Sequence, residues 1–447
     1  MRCSYFFIVA VLVAIPAGTQ KLYAQEPVNM PGMNTGQNAG MNMDTNTNMS
    51  AATPGWMPSA HVSSGTGWQP AAIVPHAWMK MVSGWEIMAH GVVFVDYNQQ
   101  GGPRGASKAE SVNWAMIMEQ HALAGGTILF REMFSAEPLT APHPGFPELF
   151  QTGETYHGQP LVDHQHPHNV FAELALDYTH PLGGQTSWKK LSWLFYGAAA
   201  GEPALGPVAY VHRASADELP LAPLSHHLQD STHISFGVLT TGLVISRLKL
   251  EGSAFNGREP DERRYAIEFA PLDSWSARLS VAPSRNWTAQ YSYGRLEHPE
   301  ALEPGSQRRQ TASVEYVRAL AGKFDGSWAT SLIWGRVHKA EDDHNLNGYL
   351  LESTLNFLAK NYAFTRVEVV DKDELFPANP LSPSYRIGAY TFGGARDLVQ
   401  SKLWQLALGA DLTFYSKPAS LNPIYGAEPV SFQIFIRVRP ALSRQQH

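Results

Sequence analysis

The sequence predicts an all-β protein, a transmembrane antiparallel up-and-down β-barrel of about 16 strands, with 14 as the alternative count. Three observations predict it. From Trp85 onward, short apolar runs alternate with polar residues at a period of two. The gaps between these runs alternate between short and long. Aromatic residues make up 11% of the chain and charged residues only 16%, a composition suited to an all-β protein with aromatic girdles.

The alternation is explicit in several runs. Ala277, Leu279 and Val281 share one face, and Ser276, Arg278 and Ser280 share the other. Trp287, Ala289, Tyr291 and Tyr293 alternate with Thr288, Gln290 and Ser292. Phe432, Ile434, Ile436 and Val438 alternate with Gln433, Phe435, Arg437 and Arg439. Leu248 and Leu250 flank Lys249, and Leu174, Leu176 and Tyr178 alternate with Glu173, Ala175 and Asp177. Side chains in a strand point alternately to opposite sides, so one face is apolar and the other charged.

A half-buried soluble sheet shows the same pattern, and the connections separate the two. Successive runs from 86–97 to 429–440 are joined by short links such as Ser246, Pro283 to Arg285 and Ala359-Lys360. Between these come long ones, Ser135 to Asn169, Gly201 to Ser231 and Arg258 to Asp273. Short turns at one end and long loops at the other mark an outer-membrane barrel. With both ends of the chain periplasmic, the strand number is even and the long loops face outward. The last run is followed by a tail, so Phe432 and Phe435 are the candidate terminal aromatics for recognition by the barrel-assembly machinery.

Four segments follow. Residues 1–24 have the charged start, apolar run and small residue (Ala24) of a secretory signal peptide. Residues 25–84 form a Met- and Asn-rich arm expected to be disordered, because it has little apolar surface to bury. The barrel occupies 85–440, and 441–447 is a tail. Cys3 is the only cysteine, so the exported chain has no disulfides and depends on a closed sheet. In the arm, Met30, Met33, Met41, Met43 and Met49 are weak candidate copper ligands, since thioethers select Cu(I).

With 33 Lys+Arg against 39 Asp+Glu, the chain lacks the basic excess of a nucleic-acid binder. Its expected partners are outer-membrane lipids and the assembly machinery. Beyond the signal, no apolar stretch is long enough for a membrane helix.

The densest polar clusters lie in two of the long gaps. One holds Asp163, His164, His166 and His168; the other holds His226, His227, Asp230 and His233. Both belong at the same rim. Imidazole is a common ligand for Zn and Cu, and a carboxylate can complete or orient a site. The other reading is that these side chains hydrogen-bond the loops into the lumen, and the spacing matches no closed zinc motif. No cofactor is certain, and Zn or Cu are the candidates. Enzymatic activity is not expected. A lipid-side hydrolase needs a Ser and a His facing lipid, but Ser292, near His298, falls on the lumen face, and no Gly-x-Ser-x-Gly occurs.

Five blocks carry a resemblance. They are Gln151-Thr152-Gly153-Glu154-Thr155, Asp163 to His168, Gly201 to Pro207, Ser225 to His227 with Asp230 to His233, and Gly257 to Asp261. Together they resemble a family of uncharacterised bacterial outer-membrane proteins, over about Trp85 to Pro440. The resemblance implies a barrel and no particular chemistry. Asn169 stands where that family's pattern has an acidic residue. In layout alone, a Met-rich exported arm before a barrel, the chain also resembles the copper-resistance outer-membrane protein B family. Together these readings imply a pore or transport-related barrel linked to metal tolerance, or a non-conducting metal-binding or structural barrel.

Overall fold

The computed structural model describes Pro58 and residues 63–443, apart from 142–143, 183–190, 303–304, 342 and 380–381. The expected signal peptide and Met30, Met33, Met41, Met43 and Met49 lie outside the described residues.

Sixteen strands close into one antiparallel barrel. They begin with β1 (Trp85–Gln99), β2 (Ser107–Glu110 and Asn113–Leu123, one strand interrupted at Ser111-Val112), β3 (Gly126–Phe134) and β4 (Phe171–Pro181). Next come β5 (Leu191–Gly201), β6 (Ser235–Ile245), β7 (Leu248–Phe255) and β8 (Ser274–Ser284). Then follow β9 (Trp287–Glu297), β10 (Ser306–Leu320), β11 (Gly326–Lys339) and β12 (His344–Phe357). The last are β13 (Asn361–Lys372), β14 (Tyr385–Gln400), β15 (Trp404–Ser416) and β16 (Val430–Pro440). Each pairs with its sequence neighbours, and β1 closes on β16 from Val93↔Val438 to Gln99↔Phe432.

The period-two pattern sorts the side chains as the alternation requires. Leu248, Leu250, Leu279, Leu332, Leu351, Leu408 and Ile434 are exposed on the outer face. Lys249, Glu251, Arg278, Ser331, Glu352, Arg366 and Arg437 are buried on the inner one. Trp287, Tyr316 and Trp328 form part of an aromatic girdle near the short turns, with ring centroids 4.5 and 5.5 Å apart. The tightest turns use left-handed backbone, as at Ala124 (φ 48°) and Gly125 (φ 79°), which suits the twist of the strands they join.

One segment departs from the sequence expectation. Residues 63–82, placed with the arm, are held by the barrel. Ala77–Val82 forms a strand paired with Trp85–His90, the part of β1 that β16 leaves uncovered. Ahead of it, Ser64 bonds Glu202 at 2.7 Å, Arg278 reaches Thr66 Oγ1 at 2.8 Å, and Gln69 bonds His212 O at 2.7 Å. Composition predicted disorder because this stretch has few aliphatic residues. Its order comes from polar partners on the β5–β6 connection (Glu202, His212) and the lumen wall (Arg278), and from strand pairing with β1.

A barrel of 16 strands is wide enough to leave a water-filled channel. Here the β5–β6 connection, 202–234, folds into it and touches the wall on many sides. Ala204 N donates to Ser253 of β7 (2.7 Å) and Gly206 N to Ser292 of β9 (2.9 Å). Ser215 meets Ser331 of β11 (2.7 Å), and Arg213 Nε donates to Glu352 of β12 (2.8 Å). Ser225 Oγ donates to Glu368 of β13 (2.9 Å), and Arg437 of β16 pairs with Glu218. The β3–β4 connection, 135–170, packs above it. Leu149 and Phe150 share a buried core with Leu224, Leu228 and wall residues Val337, Leu346 and Ile387.

Candidate functional site

The two histidine-bearing connections meet inside the barrel. Asp230 follows a single helical turn, His226–Gln229, which places its carboxylate over His226, and a 3-10 turn, Ser231–His233, turns His233 inward. His168 lies just before β4, at the end of the other connection.

At the centre, His168 Nε2 faces His233 Nε2 at 3.1 Å. The opposite edge of each ring is held. His168 Nδ1 lies 2.8 Å from Glu137 Oε2, and His233 Nδ1 lies 2.9 Å from Asp230 O. His226 Nδ1 lies 2.7 Å from Asp230 Oδ1, and its ring centroid is 5.0 Å from that of His233. Tyr210 packs against all three rings, its Oη 3.2 Å from His168 Nε2. Asp230 Oδ2 also accepts from Arg213 (2.6 Å) and from Tyr210 N (3.0 Å), which fixes it against the plug.

A second group adjoins the first, since the His226 and His227 rings are 5.1 Å apart. His227 lies between two carboxylates, Nε2 at 3.4 Å from Glu154 and Nδ1 at 3.6 Å from Glu259. One donor atom from each of Glu154, His227 and Glu259 lies within 4.8 Å of the others. His166 turns Nδ1 to Pro167 O at 2.8 Å and presses Nε2 on Glu154. Arg264 and Arg309 neutralise this group from 3.9 and 3.6 Å.

Burial sets the charges, because an ion pays heavily to leave water. It pushes His166 and His233 well below the usual imidazole range, lowers His226, and takes His227 down to about 3. It raises Glu259, and Glu154 to about 7. Burial also opposes ionisation of Asp230, but Arg213 and His226 override it and hold this carboxyl well below the ordinary range. Burial therefore disfavours the protonated form of His166, His226, His227 and His233.

Of the residues singled out from the sequence, His166, His168, His226, His227, His233 and Asp230 come together. His164 and Asp163 do not join them. His164 Nδ1 meets Val162 O at 3.2 Å, and its backbone pairs with Pro147. Asp163 binds Phe150 N (2.7 Å) and Arg104 Nε (2.6 Å), and so ties its loop to the β1–β2 connection. Asn169 accepts from Arg264 at 3.1 Å. Ser292 lies in the lumen, bonded to Thr311 at 2.7 Å and to the plug, far from a lipid-facing role. The residues that spacing missed are Glu137, Tyr210, Glu154, Glu259, Arg264 and Arg309. Glu154 and Glu259 did carry a signal, since each stands inside one of the distinctive sequence blocks.

No protein-family model matches the chain, and no curated protein matches it. Among solved structures, it is similar to OmpT, an outer-membrane protein of Vibrio cholerae, at 7% identity over 81% of this chain and 100% of that one, with a TM-score of 0.44. The outer-membrane channel DcaP of Acinetobacter baumannii gives 9% identity over 80% and 99% of the two chains, TM-score 0.45. Salmonella typhi OmpF, in complex with daunomycin, gives 9% over 81% and 100%, TM-score 0.47. The assignment rests on the chain's own geometry. A closed ladder with an apolar outer face and a polar interior leaves no backbone group unpaired in lipid, which an open sheet cannot achieve. The protein is a transmembrane β-barrel. Its lumen is filled from within by its own connections.

Proposed function

We propose that the protein is a transport-related outer-membrane barrel held in an occluded state, with the 202–234 connection as its plug. One observation carries this reading. The plug meets the wall through a network of hydrogen bonds and ion pairs beside apolar contacts at Leu205, Leu219, Leu224 and Leu228, with Arg213 set between Asp230 of the plug and Glu352 of the wall. Such polar contacts can be exchanged for water without breaking the strand ladder that holds the barrel closed. A barrel of this width filled by a polar plug suits a gated passage better than a purely structural wall.

The buried imidazoles support a link to heavy-metal tolerance, copper included. They equally favour the second reading, a non-conducting barrel that binds metal. Planar-bilayer recordings separate the two. Wild-type protein should be silent. A variant in which a short Gly/Ser linker replaces residues 203–233 should pass current in discrete steps while keeping heat-modifiable gel mobility. A folded, plug-free barrel that stays silent would defeat the transport reading.

A further inference from the structure

We propose that the inward-facing methionines of the first wall strands, Met79, Met88, Met116, Met118 and Met133, form a thioether binding site for a soft monovalent cation of the Cu⁺ or Ag⁺ class. The argument starts from where methionine occurs. The chain has 13 methionines, and none follows Met133. All those among the described residues lie on four consecutive strands, Ala77–Val82, β1, β2 and β3.

Strand register gathers them. Met79 stands opposite Met88, and Met88 stands opposite Met118. Two residues before Met118 on β2, Met116 stands opposite Met133. Directly opposed residues share one side of a sheet, with Cβ atoms about 4.5–5.5 Å apart. Residues two apart on a strand share a side as well. The five thioethers therefore form one continuous row on the lumen side. Met88, Met116, Met118 and Met133 are packed in a single buried cluster, none more than 4% exposed.

Packing alone does not explain this choice of residue. Three other buried apolar clusters are built from Leu, Val, Ile, Phe, Tyr and Ala, and their buried members include no methionine. Leu fills nearly the same volume as Met. What Met adds is a polarizable sulfur on a flexible stem. The donor set then decides the class of ion. Thioethers select soft Cu⁺, whereas Zn²⁺ takes thiolate, imidazole or carboxylate, and Ca²⁺ and Mg²⁺ demand oxygen. Arg131 stands opposite Met118, and Asp177 balances its charge from 3.6 Å.

The row also has an entrance. Met81 and Met79, beside the turn at Ser83-Gly84, are 53% and 46% exposed. Moving away from that turn, the order is Met81, then Met79 with Met88 and Met118, then Met116 with Met133. An ion arriving at the short-turn mouth meets two accessible sulfurs before the buried four. The assignment does not depend on conduction, and a silent plug-free barrel would leave it standing.

The test uses the full-length chain refolded in detergent, with Met30, Met33, Met41, Met43, Met49 and Met57 replaced by Ser so that arm thioethers do not contribute. Ag⁺ is titrated by calorimetry in chloride-free buffer, and Cu⁺ is offered in competition with bicinchoninate. Tight uptake is expected in this background, with sulfur as the neighbour of Cu⁺ in X-ray absorption. Met88→Leu/Met118→Leu and Met116→Leu/Met133→Leu should each lose it while keeping heat-modifiable gel mobility, because the exchange conserves volume. Where a double variant does not fold, the single variants Met88→Leu and Met133→Leu give the same readout. Ile117→Leu, on the outer face of the same strand, should bind like the background. Unchanged uptake in the folded methionine variants overturns the assignment. So does displacement of bound Ag⁺ by Zn²⁺, which would move the ion to the histidines. No uptake by the arm-substituted background means that the wall methionines serve packing alone, and the assignment falls.

Discussion

Arg213 of the plug donates to Glu352 of β12 through Nε at 2.8 Å and through a second nitrogen at 3.3 Å, and both side chains are 0% exposed. Arg366 of β13 reaches the same carboxylate at 2.9 Å. A charge here is balanced only by its partners. Removing one leaves another stranded, at about 3–5 kcal/mol, whereas replacing a whole buried pair by apolar groups costs far less. E352Q should therefore destabilise the barrel by about that amount in urea unfolding, and so should Arg213→Ala. Because Asp230 and Arg366 each keep one fewer partner in Arg213→Met/Glu352→Leu, the double variant should lose less than the sum of the two single losses, which would identify the coupled charges as the cause. Additive losses would point to packing.

The direction of the barrel in the membrane is open to labelling. Leu139 and Phe269 stand exposed on two of the long connections, and Leu358 on a short turn. Single cysteines at Leu139 and Phe269 should react with an impermeant maleimide on intact cells. One at Leu358 should react only after the outer membrane is opened. Reaction at Leu358 on intact cells would invert the topology.

The outer face should reject charge. Leu332 is 60% exposed there, while its neighbour Ser331 is buried against the plug. Leu332→Arg should cost about 2–4 kcal/mol in vesicles if it lies at the midplane, and less nearer an interface. An unchanged unfolding midpoint in lipid would argue that this face does not meet hydrocarbon.

The plug also carries a pH dependence. Burial pushes Glu202 up to about 8, opposed by Ser64 and Arg278 and reinforced by Glu173 and Asp230. A folded-state pKa above the unfolded one means that the folded protein binds the proton more tightly. The stability from this group is fully present below the unfolded value, about 4.3, and is lost as pH rises toward 8. Glu148, also raised to about 8 by burial, acts in the same direction. Proteolytic cleavage within 202–234 should thus be faster at pH 8.5 than at pH 5.5. E202Q, which cannot ionise, should reduce the difference. An identical pH dependence in wild type and E202Q would exclude Glu202 as a source.

The barrel was legible because its information is local. Period-two runs such as Leu248 to Glu251 and Phe432 to Arg439 already assign each side chain to lipid or lumen, and turns such as Ser246-Arg247 set the pairing of neighbouring strands. The alternation of short and long links likewise placed the two histidine-rich connections at one rim. Which residues meet there was not local. His164 and His168 are four positions apart, yet one binds its own loop and the other faces His233, 65 residues away. Glu137, Glu154 and Glu259 come from different connections, and no spacing rule joins them. The filling of the lumen was equally hidden, because a polar loop such as 202–234 reads the same in water as against a polar wall. Strand periodicity by itself determined the wall. The plug and the histidine cluster were decided by the tertiary structure alone, because buried polar groups take whichever partners the closed barrel brings within hydrogen-bonding reach.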